Sequence, residues 1–240
     1  MKLHTKLSVS LVAAGFSAML FISSCSKENS NIPLPEIASL EENSNMRNGV
    51  LLIEYLKPTV GQPGKGLFPD GWSGKNNEYG ISNGRTLGGN PSLPWVTPLP
   101  EPEPGPAGTF ITMKSTSNLD GAVYSHFKNL TPGKKYKVTY YVSTTSINHL
   151  IPQSPYVAST PHAESVKIHI ITPVTMGSNP SVGKTLTFAN QKDQWVKDNL
   201  YFTASNNSAD FEFISHSYNG ASMESYTNVY ISPNAVEVVP

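Results

Sequence analysis

The chain has 240 residues, 17 basic against 17 acidic side chains, one cysteine, and 14% charged residues where an average domain has roughly 25%. Its 29 Ser, 18 Thr, 20 Asn, 18 Gly and 20 Pro belong to turns, loops and strand edges, which argues against a coiled coil or long helical bundle. The neutral balance argues against a nucleic-acid binder, the single cysteine excludes a disulfide scaffold or cysteine-ligated zinc site, and 38% hydrophobic residues argue against wholesale disorder.

In chain order, the first element is an address. Lys2 and Lys6 precede a largely apolar run from Leu7 to Ile22. Sixteen residues are fewer than the roughly 20 a membrane-spanning helix needs, and small residues follow directly, which is the layout of a secretory signal. Ile22-Ser23-Ser24-Cys25 resembles the lipobox of bacterial lipoproteins. The resemblance implies removal of residues 1–24 and lipidation of Cys25. The mature chain then carries 15 basic and 17 acidic residues, a net of −2. Ser26-Lys27-Glu28 follows the cysteine, with no Asp directly after it. By analogy with enterobacterial sorting, that implies the outer membrane, on the periplasmic face or at the cell surface.

Residues 25–47 read as the lipidated cysteine and a flexible tether, rich in Asn, Ser and Pro without hydrophobic period. From residue 48 to 240 short strand-like runs alternate with turn signals. The runs are Val50–Leu56, Thr109–Lys114, Ala122–Lys128, Lys135–Ser143, Ser165–Thr172, Lys184–Ala189, Trp195–Thr203, Ala209–His216, Tyr226–Ser232 and Ala235–Val239. In Lys135–Ser143, residues Tyr136, Val138, Tyr140 and Val142 face one way. Leu200 and Phe202 oppose Asn199 and Tyr201. Period-2 alternation marks strands with one buried face. Such strands in one domain predict an all-β, two-sheet antiparallel sandwich. Two long loops interrupt it, 57–108 and 146–164. Seven prolines in residues 91–106 stiffen the first toward polyproline II.

Four segments resemble jelly-roll modules of the galactose-binding-like fold. They are Pro69-Asp-Gly-Trp72, Leu130-Thr-Pro-Gly-Lys-Lys-Tyr-Lys-Val-Thr-Tyr-Tyr-Val142, Trp195 through Ala204, and Asn228 through Val239. Order and spacing match across residues 48–240. That family includes carbohydrate-binding modules, adhesive domains and cell-wall domains. Many carry a structural calcium ligated by an acid in the last strand pair. Here Ser232-Pro233-Asn234 stands at that place, so Glu54 and Asp70 are left as the carboxylates for such an ion. The resemblance also implies that Trp195 packs inward.

No catalytic constellation is evident. There is no His-Glu-x-x-His, Gly-x-Ser-x-Gly or Walker A loop, and the acids are dispersed. The expectation is therefore a non-enzymatic, lipid-anchored protein that binds glycan. The alternative is a structural or adhesive lipoprotein contacting other envelope proteins. Sugar binding needs aromatic faces with amides and hydroxyls nearby. Trp95 in the proline-rich loop is the first candidate, followed by Trp72, Tyr79, Tyr141 and Tyr156.

Overall fold

The computed structural model describes residues 46–47, 50–51, 56–61, 64–65, 67–74, 81–82, 87–90, 93–103, 110–150, 157–173, 181–217 and 223–240. Every regular element among them is a strand. Ten build the sandwich's two main layers: β1 Trp72–Gly74, β2 Ile111–Ser115, β3 Gly121–Phe127, β4 Lys135–Thr145, β5 Ser165–Ile171, β6 Ser181–Thr187, β7 Val196–Thr203, β8 Ala209–His216, β9 Ser225–Tyr230 and β10 Val236–Val239.

One sheet runs β7-β4-β9-β2 and then through the short ladders Ile81–Ser82 and Gly64–Lys65; β10 lies beside β4. The other runs β6-β5-β8-β3-β1. All pairings are antiparallel. From β2 to β9 the chain crosses between the layers, leaving only β5 and β6 as successive partners in one sheet. That winding is a jelly roll; the strand pattern predicts the two-sheet sandwich, and the resemblance to galactose-binding-like modules implies the jelly roll.

The core follows from the alternation. Tyr136, Val138, Tyr140 and Val142 of β4 face Phe211 and Phe213 of β8 and Val166, Ile168 and Ile170 of β5, all buried. Aromatic rings tie the layers together. Phe127 lies 5.2 Å from Phe202, and Tyr140 meets Phe213 edge-on at 5.7 Å. Thr131-Pro132-Gly133-Lys134 makes the turn that leads into β4. Lys134 N–H donates to Thr131 O, and Gly133 takes φ +82°, which an L side chain adopts only with strain. Buried hydroxyls also cross between the sheets: Ser215 of β8 bonds Ser115 of β2 and Thr227 of β9.

Three features differ from the sequence reading. The loop 57–108 contains β1, whose three residues are too few to show a period. Gly89–Asn90 and Leu93–Pro94 form a small ladder inside the same loop, and Asn148–Leu150 pairs with Val157–Ser159 inside the second. Val50–Leu51 pairs with Met46–Arg47 rather than with either large sheet.

Candidate ligand-binding face

In the seven-stranded sheet, every second residue points away from the core. On β4 these are Lys135, Lys137, Thr139, Tyr141, Ser143 and Thr145; on β9 they are Tyr226, Asn228 and Tyr230. The proline-rich segment crosses part of this outer face like a strap. Trp95 N–H donates to Gly88 O, Val96 N–H to Ser146 O, and Leu99 N–H to Leu87 O. Trp195, half-buried at the head of β7, donates its indole N–H to Pro100 O at 2.9 Å.

The strap accounts for three corrections. Trp95 does not offer its ring to solvent. It is 7% exposed, packed at 6.0 Å from Tyr226, and its Nε1 is buried with no hydrogen-bond partner. Tyr141 is 3% exposed, packed with Phe110 and Tyr230. Trp195 joins that outer cluster, 5.5 Å from Phe110, rather than the core between the sheets. Trp72 is also withdrawn from solvent, for a different reason. It starts β1 facing inward, 4% exposed, 6.2 Å from Phe213, with Nε1 bonded to Lys57 O. Trp95, Tyr141 and Trp72 therefore have no free face for a sugar.

Tyr79, Tyr156, Glu54 and Cys25 lie outside the described residues. Asp70 stands exposed on a turn, its N–H on Val60 O. Among the described residues, no three His, Cys, Asp or Glu side chains gather into a group that could hold a metal ion.

Beneath the strap lies a closed polar set. Asn228 accepts from Thr112 Oγ1 at 2.8 Å and donates to Ser143 and Thr145, each at 3.1 Å. All four side chains are buried. Their bonds are satisfied by one another, so they serve the fold.

The part of the face that remains open is the β4–β7 ladder. Its register sets Tyr201 opposite Lys137, Asn199 opposite Thr139, and Lys197 opposite Tyr141. Tyr201 is 48% exposed. Lys135 Nζ lies 5.7 Å from its ring centre, and Lys197 Nζ lies 5.7 Å from that of Tyr141. Thr139 Oγ1 donates to Asn199 Oδ1 at 2.8 Å. Lys137 Nζ meets Glu237 Oε2 at 2.8 Å, and that bond holds the ammonium's pKa above its ordinary value. A flat aromatic beside an amide, a hydroxyl and charged heads is what stacking on a sugar ring and bonding its hydroxyls require. The alternation of β7 already marked Tyr201 and Asn199 as outward. Which outward residues stay open depended on where the strap lands, and no local pattern encodes that.

Away from that face lies a hollow of about 620 Å³, lined by Pro161, His162, Ala163, Glu164, Phe188 and Lys192 among others. His162 Nε2 pairs with Asp193 Oδ1 at 3.0 Å on its rim. The exposed lining is mainly apolar, and its one aromatic among the described lining residues, Phe188, is 1% exposed, so the hollow offers no ring face for stacking.

No protein-family model and no curated protein matches this chain. Solved structures do show likeness. The enzymatically active domain of tailspike protein 4 from bacteriophage CBA120 is 9% identical, with a TM-score of 0.45, over 78% of this chain and 22% of that one. The carbohydrate-binding module TmCBM61, solved with β-1,4-galactotriose, is 12% identical with a TM-score of 0.38, over 76% of this chain and 98% of that one. The K2 adhesin domain of Lys-gingipain is 13% identical with a TM-score of 0.38, over 78% of this chain and 98% of that one. The chain thus spans under a quarter of the tailspike's active domain and nearly all of the other two. Several of the similar structures are carbohydrate-binding modules. Likenesses of this size assign neither ligand nor residue roles.

Proposed function

We propose that this is a lipid-anchored envelope protein whose sandwich binds glycan, without catalysis, on the open β4–β7 face. The observation that carries the reading is Tyr201. It is a half-exposed ring on the β4–β7 ladder, with Lys135 beside the ring and Lys137, Thr139, Asn199 and Lys197 on the same face. Apolar ring faces of sugars stack on such a surface, and the polar neighbours fix orientation. The anchor rests on the lipobox-like Ile22-Ser23-Ser24-Cys25 and on the basic, then apolar, run before it.

A polysaccharide panel tests the binding half. The wild type retains at least one polymer, Tyr201→Ala loses it by about tenfold, and the polymer's reducing ends do not increase. No retention of any polymer removes the reading. Incorporation of labelled fatty acid by the full chain, lost in Cys25→Ser, tests the anchor.

A second reading, contact with another envelope protein, is favoured by β6. This edge strand of the five-stranded sheet is exposed at Ser181, Val182, Gly183, Lys184 and Thr185. An exposed edge can accept a further strand. A photo-crosslinker at Val182 that captures one partner in intact cells would support it.

A further inference from the structure

The charge of the open face goes further than its aromatic character. The outward rows of β4 and β7 carry Lys135, Lys137 and Lys197. In the adjoining outward row of β10 the carboxylate is Glu237, which is bonded to Lys137. Lys135 and Lys197 contact ring faces and form no ion pair among the described residues. The strip itself thus carries three lysines against Glu237, with Glu101 of the strap acting on Tyr230 at its margin, on a chain whose overall formal charge is zero. Lys197 and Tyr201 are four residues apart on one strand, roughly 13 Å. Lys135 leans over Tyr201 from the neighbouring strand. The ring thus sits between positive heads spaced along the strand direction.

A neutral polysaccharide leaves those ammonium groups unanswered. A polymer with an acidic group on its rings answers them: each pyranose stacks or bonds at Tyr201 and Asn199, and its carboxylates or sulfates meet Lys135 and Lys197. We infer that the β4–β7 strip binds an acidic polysaccharide, a uronate or sulfated glycan, with Tyr201 as the stacking ring and Lys135 and Lys197 as the anion contacts. This deepens the glycan-binding reading and rests on it. A lipid surface fits less well, because the strip has few apolar side chains to enter an interface and only three lysines to hold a charged one.

Polygalacturonate and its fully methyl-esterified form share a backbone and differ in charge. They are compared in binding to the soluble chain lacking residues 1–25, alongside polyglutamate and phosphatidylglycerol vesicles. The inference expects tight binding to polygalacturonate and at least tenfold weaker binding to the ester. It also expects at least tenfold loss in Lys135→Gln/Lys197→Gln and in Tyr201→Ala, whose melting temperatures stay at the wild-type value. Weakening with rising salt accompanies it. Equal binding of acid and ester overturns the inference and leaves the glycan reading standing. Polyglutamate or the vesicles binding as tightly as polygalacturonate also overturns it, because charge without a sugar then suffices. Binding to neither polymer overturns it too, and the neutral members of the polysaccharide panel then decide the broader reading.

Discussion

Trp95 and Tyr226 pack at 6.0 Å with their planes inclined by 52°, one ring from the proline-rich strap and one from the sheet beneath it. The tryptophan is thus a clamp holding the strap down. Trp95→Ala removes a large buried side chain and is expected to cost about 3 kcal/mol. Trp95→Phe keeps an aromatic and deletes a buried Nε1 that has no partner, so its cost is expected to stay near 1 kcal/mol. Urea unfolding of both variants checks the order. A stable Trp95→Ala protein that has lost glycan binding would return this residue to the ligand site.

Asn228 is the hub of the polar set under the strap. It accepts one hydrogen bond and donates two, to Thr112, Ser143 and Thr145. Asn228→Ala leaves three buried hydroxyls short of a partner and is expected to destabilise by about 2–3 kcal/mol. Asn228→Asp is expected to cost more at neutral pH, because it places a carboxylate where the amide donated to two hydroxyls. The test is the pH dependence of the Asp variant. It regains stability on acidification, as the carboxyl protonates and can donate again, while the Ala variant does not.

Much of this architecture was legible in the sequence, for a physical reason. β5, β7, β8 and the first half of β4 bury mainly one face and therefore alternate; their residues show it without any tertiary information. β1 was not legible, because Trp72, Ser73 and Gly74 pair only with the middle of β3 and carry no period. The candidate rings failed for a similar reason. An aromatic in a loop reads as presented to solvent unless its landing place is known, and Trp95 lands on Tyr226, far away in sequence. Tyr201 had the opposite fate. Its outward direction was readable from Leu200 and Phe202, and it remains 48% exposed.

Alkaline pH tests the buried tyrosines. Burial raises the pKa of Tyr140, with the nearby Asp198 adding to the shift. Burial and the bond to Glu224 do the same for Tyr226, and burial raises that of Tyr230. In the unfolded chain these phenols ionise near pH 10. Above that pH the native state binds more protons than the unfolded state, so stability falls as pH rises. Below it the two states bind alike and the contribution is intact. Each such tyrosine adds up to about 1.4 kcal/mol of loss per pH unit. Denaturation midpoints at pH 8, 9.5 and 10.5 show the slope. Tyr140→Phe is expected to flatten it; an unchanged slope contradicts the assignment.

Gly183 of β6 stands opposite His169 of β5, and the imidazole lies over the glycine. A Cβ at this position would collide with His169 Cδ2, would lie 2.7 Å from its Nε2, and would press on Ile168 O at 3.2 Å. Backbone propensity alone favours alanine over glycine in a strand by roughly 0.5–1 kcal/mol. The collision outweighs it, because the ring must leave its place on the sheet. Gly183→Ala is therefore expected to destabilise by about 1–3 kcal/mol. His169→Ala has its own cost, since the imidazole makes further contacts of its own. With that ring gone, however, Gly183→Ala should become nearly neutral. A double-mutant cycle on thermal or urea unfolding reads this as a coupling of at least about 1 kcal/mol. Strict additivity would mean that the backbone at Ile168, rather than the imidazole, sets the limit on what β6 can carry there.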